Sequence, residues 1–239
     1  MRLPSAQEML EAGVHFGHKT SRWHPKMERY IFTAKADVHI FDLEKTAKKL
    51  EEALIFMRSV LQRGGTVLLV GTKPAAKNII KQAGQTLGWP YVSERWLGGT
   101  LTNFKTITKR LQYYRDLEEQ QKTGGWEKYT KKERGQLQKR LTKLHGQLEG
   151  IKNLVKLPNA IFVIDVKVDN LAIREAKRIN IPVAAICDSN ADPSMVDYVI
   201  SANDDASSAL KLLVETIVNN LKEVKPVAVV DVEKKNKES

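Results

Sequence analysis

Short apolar runs alternate along the chain with segments whose apolar residues recur every three to four positions. The runs at 66–70, 160–165 and 182–187 are almost continuously apolar, which is typical of parallel strands buried on both faces. Strands of this kind separated by amphipathic helices predict an α/β fold, with a parallel sheet covered by helices on both faces.

Local signals predict where several of these elements begin and end. Ser5 and Glu8 have the spacing of a capping box, which predicts a short first helix that Gly13 ends. Asp42 is placed to cap a long helix ahead of the first buried strand. The last helix has three polar residues at its predicted cap: Asn203, Asp204 and Asp205. Further strands are predicted at 38–41, 91–92 and 198–200, and further helices from Pro74 to Leu87 and from Asn170 to Ile179.

Residues 104–156 depart from this alternation. The first half has one apolar edge, formed by Ile107, Leu111, Tyr114 and Leu117. In the second half, six apolar residues alternate steps of four and three, the spacing of a coiled-coil seam: Leu137, Leu141, Leu144, Leu148, Ile151 and Val155. Because Gly124 and Gly125 interrupt the pattern between the halves, it predicts an inserted α-helical coiled-coil hairpin.

The predicted hairpin divides the chain into parts. Residues 1–103 and 157–224 form the α/β body, and residues 104–156 form the inserted hairpin. Residues 225–239 are rich in Val, Lys and Glu without any period, which favours a disordered tail.

Residues 94–104, which we call the joint, connect the body to the hairpin. Gly98 and Gly99 permit positive φ and a close approach of backbone. Thr102 or Asn103 is placed to cap a helix that begins near Phe104. The simpler interpretation is a tight connection between two elements.

The charge of the chain favours a polyanionic partner. Lys and Arg number 39 against 28 Asp and Glu, a net charge of +11. Residues 104–156 contain 14 Lys and Arg against 6 Asp and Glu, whereas residues 157–225 contain 7 against 10. The excess therefore lies on the first half and the hairpin.

Residues 13–30 have no regular period and interleave cations and histidines with aromatic side chains. Cations suit phosphates, while Phe16, Trp23 and Tyr30 suit stacking on bases or riboses. The alternative is that these aromatic side chains attach an irregular segment to the body. The cations of the hairpin add to this set, and together they favour an RNA-binding surface.

Other chemistry has weaker support. Dinucleotide-binding and P-loop glycine patterns are absent, although Gly71-Thr72-Lys73 after a strand would suit either a phosphate or a plain turn. Asp188, Asp192, Asp204 and Asp205 follow strands and suit a structural metal, or else helix caps and a turn. Cys187, which ends an apolar strand, is expected to be an inert buried thiol.

The sequence also bears on compartment. A single cysteine fits a reducing environment. No apolar run approaches the length of a membrane span, and no signal peptide is evident. We expect a cytoplasmic protein or one made within an organelle matrix, with no membrane partner.

Four motifs closely resemble those of the bacterial-type ribosomal protein S2 family: residues 11–18, 22–27, 70–73 and 95–104. The resemblance runs in order from about Ser5 to Leu221. At five positions the chain departs from the residue usual in the family: His24, Thr100, Val166, Ser194 and Ser201. These departures affect mainly the loops at the strand ends.

The resemblance implies a flavodoxin-like three-layer body with the hairpin inserted, bound to small-subunit ribosomal RNA between the head and body of the subunit. It also implies docking of ribosomal protein S1, a large OB-fold protein that helps bring mRNA to the ribosome, and no catalysis, cofactor or small-molecule substrate. Carried onto this chain, the RNA-binding residues are His15, His18, Lys19, Arg22, Trp23, Lys26, Lys73, Arg95, Asn103, Lys105, Lys109, Arg110, Lys139, Arg140 and Lys143.

Two rival hypotheses remain. An α/β enzyme would bind a phosphorylated small molecule near Lys73 and Asp188. A coiled-coil adaptor would bind protein partners through the hairpin, and these complexes would survive digestion of RNA.

Overall fold

A computed structural model describes residues 1–224 of the chain. The predicted disorder of residues 225–239 lies outside the described residues. The helices are α1 (Ala6–Glu11), α2 (Leu43–Gln62), α3 (Lys77–Leu87), α4 (Phe104–Lys122), α5 (Lys131–Leu148), α6 (Asn170–Arg178) and α7 (Ser207–Leu221). The strands are β1 (Phe16–Lys19), β2 (Ile31–Lys35), β3 (Val38–Phe41), β4 (Val67–Val70), β5 (Tyr91–Val92), β6 (Ala160–Val163), β7 (Val183–Cys187) and β8 (Tyr198–Ser201).

A five-stranded parallel sheet with the order β5-β4-β6-β7-β8 forms the centre of the body. If these strands are counted along the chain, the order is 2-1-3-4-5, that of the flavodoxin-like doubly wound fold. All residues of β4, β6 and β7 are buried, as their continuous apolar sequences predicted. The predicted α/β class is confirmed.

Successive residues of these strands point to opposite faces, so the sheet separates two apolar cores. Leu69 and Phe162 lie in the core that α2, α3 and α7 cover. Leu68 and Val163 lie in the other core, together with α6 and the residues that α4 and α5 bury. Three layers result, with the helix pair joined to the second core.

A separate three-stranded antiparallel sheet, of order β1-β3-β2, accompanies the body. The sequence pattern predicted only β3 of these strands. Every residue of β2 after Ile31 is exposed. This strand therefore lacks the alternation of buried and exposed positions by which a strand is recognised in a sequence. The turn from β2 to β3 has positive φ at Ala36 and Asp37.

The predicted helix caps are correct at the first two helices and wrong at the last. The Ser5 side chain and Glu8 form the capping box of α1, and Asp42 accepts hydrogen bonds from the first turn of α2. At α7 the N-cap is Ala206, which has no side-chain cap. Asn203 Oδ1 accepts from the amides of Asp205 and Ala206 just before the helix, and the two aspartates bind other groups.

The helices α4 and α5 follow β5 and precede β6, and they contact each other. Side-chain hydrogen bonds join Gln121 to Gln138 and Tyr114 to His145, so the contacts run in opposite directions along the two helices. The four predicted apolar residues of α4 are buried, and so are Leu141, Leu148 and Ile151. Val155 is 73 % exposed, which removes it from the predicted seam. The coiled-coil geometry of the pair stays a prediction.

Candidate nucleic-acid interface

The N-terminal cationic segment, residues 13–30, lies against the loop that follows β7. The amides of His18 and His24 donate to the hydroxyl and carbonyl oxygens of Ser189, at 2.8 and 2.7 Å. Met27 and Tyr30 are buried and attach the end of the segment to the body. Of the three aromatic side chains offered for stacking, Tyr30 is buried in the body, whereas Phe16 and Trp23 are exposed. RNA binding by this segment stays a prediction.

The exposed side chains of this segment include Lys19, Arg22 and Trp23. Neither Lys19 nor Arg22 forms an ion pair within residues 1–224. The Trp23 ring packs against the His39 ring with centroids 5.1 Å apart, and 37 % of this tryptophan remains exposed. His15, in contrast, is half-buried beside Phe16, and burial lowers the pKa of its imidazole.

His18 and Lys73 belong to an internal ion network at the carboxyl ends of the parallel strands. Lys73 Nζ lies 3.0 Å from Asp165 Oδ2 and 2.5 Å from both Asp204 Oδ1 and Asp205 Oδ1. The two ring nitrogens of His18 face Asp188 at 3.0 Å and Asp205 at 3.4 Å. Burial opposes the charged ammonium, but hydrogen bonds to Asp204 and Asp205 raise the pKa of Lys73. The hydrogen bond to Asp188 raises the pKa of His18.

Four carboxylates in this network face only two cations. Burial, together with the charges of Asp165 and Asp188, raises the pKa of Asp204 to about 7. Of the carboxylates that the sequence offered as a metal site, Asp204 and Asp205 face the Lys73 ammonium and Asp188 faces the His18 ring. Asp192 lies apart from them and pairs with Lys26. Within residues 1–224 no cluster of three or more His, Cys, Asp or Glu side chains has an arrangement that could hold a metal ion.

Lys26 is exposed but has internal partners. Its Nζ lies 3.2 Å from Asp192 Oδ2 and 2.7 Å from Ser194 Oγ. Hydrogen bonds from Ser194 hold the pKa of Asp192 near 2, so this carboxylate stays ionised. Lys26 therefore joins the segment to the loop after β7.

The joint is organised around one carboxylate that sequence reasoning missed. Glu175 of α6 accepts hydrogen bonds from the Trp96 indole and from the amides of Gly99, Leu101 and Thr102, at 2.7–3.2 Å. The Thr102 hydroxyl donates a fifth at 3.1 Å. Burial alone would raise the pKa of Glu175, but these donors outweigh it and lower that pKa.

This arrangement corrects part of the prediction for the joint. Gly99 has φ of +88°, as the sequence indicated, whereas Gly98 does not have positive φ. Asn103 occupies the N-cap of α4 without a side-chain cap. Arg95 and Asn103, both predicted to bind RNA, are exposed on either side of the glycines.

The predicted cations of the helix pair all point outward. On α4, Lys105, Lys109 and Arg110 are exposed, and on α5 so are Lys139, Arg140 and Lys143. None forms an ion pair with another residue of the described range 1–224. The Arg140 guanidinium donates a hydrogen bond to the hydroxyl of Tyr113 at 3.0 Å.

The sequence model of the family described as Ribosomal protein S2 matches residues 9–224. The chain belongs to the ribosomal protein S2 family. It is therefore a structural protein of the small ribosomal subunit and not an enzyme, as the resemblance predicted. Membership also implies a location on the ribosome, with ribosomal RNA and other ribosomal proteins as associates. No helix within residues 1–224 is both long and apolar enough to cross a membrane.

For this S2 family member, the structure divides the fifteen residues that the sequence proposed for RNA. Three of them, His18, Lys26 and Lys73, bind carboxylates of the chain itself, and His15 is half-buried. We therefore assign Lys73 to the internal network rather than to the RNA-facing set. The exposed remainder comprises Lys19, Arg22, Trp23, Arg95, Asn103, Lys105, Lys109, Arg110, Lys139, Arg140 and Lys143.

Two residues that organise this surface were missed. Glu175 lies on the apolar face of α6, between Ala172 and Ala176. An acidic residue among apolar ones was the signal in the sequence that could have indicated a buried carboxylate with polar partners. Ser189 carried no signal, because a serine in a polar loop does not reveal which amides it will contact.

Proposed function

We propose that this chain binds small-subunit ribosomal RNA through its N-terminal cationic segment, its joint and the outer faces of α4 and α5. One observation carries the proposal: all nine lysines and arginines in the exposed remainder of the predicted RNA-binding residues lack a carboxylate partner within residues 1–224. Clustered like charges repel one another, and phosphates relieve that repulsion while releasing counterions. The nine are Lys19, Arg22, Arg95, Lys105, Lys109, Arg110, Lys139, Arg140 and Lys143.

Residues 104–156 act in this proposal as one inserted coiled-coil arm. Its support is the apolar contact between α4 and α5, where Leu111, Tyr114, Leu141 and Leu148 are buried. The Tyr114 hydroxyl lies 2.8 Å from His145 Nδ1 and adds a polar contact between the helices. The arm extends the cationic surface away from the sheet, so that one protein contacts separated parts of a folded RNA.

Docking of ribosomal protein S1 is the second part of the proposal. Its support is family membership, since the residues above account for RNA and not for this partner. We expect ribosomes depleted of this chain to lose S1, and to regain it when the purified chain is added back. Ribosomes that retain S1 without the chain would refute this part alone.

The test of RNA binding is a charge reversal on α5. Lys139→Glu, Arg140→Glu and Lys143→Glu together should weaken incorporation into small subunits, with no change in the melting temperature of the body. The matched control reverses Lys48, Arg58 and Lys222, which are exposed at scattered positions of α2 and after α7. It changes the net charge equally, so a specific RNA surface requires the control to assemble normally.

Salt dependence provides a second measurement. The logarithm of RNA affinity should fall with the logarithm of salt concentration by roughly 0.7–0.9 per phosphate contacted. A flat dependence, or unchanged co-sedimentation of the α5 variant with small subunits, would refute the proposal. Partners that stay bound after RNA digestion would instead favour the coiled-coil adaptor.

A further inference from the structure

Tyr113 lies on the outer side of α4 and contacts Arg140 of α5 across the helix pair. The tyrosine is 41 % exposed, and its hydroxyl accepts a hydrogen bond from Arg140 Nη1 at 3.0 Å. A bond to the hydroxyl puts the guanidinium at the edge of the ring. The phenol is thus fixed at its polar end while its aromatic faces stay uncovered by that cation.

The other tyrosines with nearby cations differ from Tyr113. Within residues 1–224, cations lie over the rings of Tyr30, Tyr114 and Tyr129, at 5.1–5.7 Å from the centroids. Tyr113 has no such cation and no stacked aromatic ring among the described residues. An exposed ring that is fixed at its hydroxyl and has no stacked partner has faces that are free to stack on another ring.

Two cations lie one helical turn away on the same side. Arg110 precedes Tyr113 by three residues, and Lys143 follows Arg140 by three, so each shares the face of its neighbour. Neither forms an ion pair in the described part of the chain. Asp116, one turn after Tyr113, accepts from Gln112 Nε2 at 2.7 Å. The Tyr113 patch, defined as Arg110, Tyr113, Arg140 and Lys143, therefore has three cations around one aromatic ring.

We infer that Tyr113 is a stacking platform for one unpaired base of the RNA that this chain binds, with Arg110 and Lys143 on the flanking phosphates. The inference rests on the proposed function and adds a base-stacking subsite to it. Every base has a π-face, and stacking on aromatic side chains is how proteins hold unpaired nucleotides. Unpaired cations around the ring favour RNA as the partner, because each nucleotide brings a phosphate that such cations neutralise with release of counterions.

The experiment compares Tyr113→Ala, Tyr113→Phe and the control Tyr129→Ala in the full chain. Tyr129 is also exposed, but Lys128 already lies over its ring. The measured quantity is affinity for small-subunit ribosomal RNA transcribed in vitro, over a series of salt concentrations. Tyr113→Ala should weaken binding by about 5- to 150-fold with an unchanged salt slope, since a stacked base is lost and no phosphate contact is.

The two other variants should bind as the wild type does. Tyr113→Phe keeps the ring and loses only the hydroxyl contact to Arg140. If Tyr113→Phe loses as much RNA affinity as Tyr113→Ala, the tyrosine serves only to hold Arg140, and the stacking inference is wrong. The inference also fails if Tyr113→Ala binds normally while the α5 charge reversal does not, and that result leaves RNA binding intact. Normal binding by every variant would instead overturn the proposed function itself.

A second measurement does not depend on any variant folding. Ultraviolet cross-linking of assembled small subunits, followed by mass spectrometry, should yield a peptide that carries a nucleotide on Tyr113. A cross-link from Tyr113 to another protein would overturn the inference.

Discussion

The carboxylate of Glu175 accepts a hydrogen bond from the indole nitrogen of Trp96 at 3.1 Å, which joins α6 to the joint. The same carboxylate accepts from the amides of Gly99, Leu101 and Thr102, the residues that precede α4. One buried acid therefore fixes the path of the chain as it leaves the body. The orientation of the proposed RNA-binding arm depends on this contact.

Replacing Glu175 should have a large effect on stability. Glu175→Ala leaves two buried donors, the Trp96 indole and the Leu101 amide, and three partly buried donors without an acceptor. We therefore expect the free energy of unfolding to fall by about 3 kcal/mol or more. Denaturant titration measures the change. The control Glu215→Ala, at an exposed residue of α7, should cost less than about 0.5 kcal/mol. Equal effects of the two variants would contradict this role.

The pH dependence of Glu175 has a definite sign. Its pKa is lowered in the folded state, so its contribution to stability is present above the unfolded pKa and is lost as pH falls through the folded pKa. We expect wild type and Glu175→Gln to converge in stability in acid and to diverge toward neutral pH. A difference independent of pH would show that the ionised form is not what stabilises the joint.

The two glycines of the joint should respond differently to substitution. Gly99 has φ of +88°, and an added Cβ would lie 3.2 Å from Asn103 Cβ. Gly99→Val should cost about 1–3 kcal/mol of stability, because β-branched residues disfavour positive φ. The control Gly98→Ala meets only Leu171, at 3.8 Å, and should be nearly neutral. Wild-type stability and assembly of Gly99→Val would contradict the assignment.

Replacing Lys73 should lower the stability of the fold, and any effect on RNA affinity should follow from that loss. Lys73→Met leaves Asp165, Asp204 and Asp205 without their shared cation, and we expect a loss of about 3–5 kcal/mol. Lys77→Met is the control, since the carboxylate that pairs with Lys77 within residues 1–224, that of Glu94, is exposed. If Lys73→Met keeps its melting temperature yet loses RNA affinity, Lys73 faces RNA after all.

His18 makes the attachment of the N-terminal segment sensitive to pH. Its pKa is raised in the folded state by Asp188 and Asp205, so the imidazolium stabilises the fold fully below the unfolded pKa of roughly 6.5. This contribution is lost as pH rises through the folded pKa. The free energy of unfolding should therefore fall over that window in the wild type, and less steeply in His18→Gln. Equal slopes for the two proteins would contradict the role of His18.

Asp204 adds a slope of the same sign at lower pH. Its folded pKa of about 7 lies above the ordinary value of 3.8, so the folded protein binds more protons than the unfolded chain between the two values. Stability should thus decline as pH rises through that interval. Asp204→Asn removes the titrating group while keeping an oxygen for Lys73, and its stability should be flatter from about pH 4 to 7. An unchanged slope would assign the effect to other groups.

The amino-acid sequence by itself determined the body of this protein. Continuous apolar strands such as Val67–Val70 have no stable location except the centre of a sheet covered on both faces. The helical periodicity of the segments between the strands identified the helices that cover this sheet. Ser5 and Asp42 act within a few residues of themselves, so their caps were predictable. The family motifs likewise lie in contiguous residues.

Tertiary structure alone decided which polar side chains face one another. Lys73 and Asp204 are 131 residues apart in sequence, and His18 and Asp188 are 170 apart, so no local pattern pairs them. Hence Lys73, a plausible phosphate ligand in sequence, became the centre of an ion network, while Arg140 remained exposed beside Tyr113. Charge and period are properties of short stretches of chain, whereas the partner of a buried charge is set by how the layers pack.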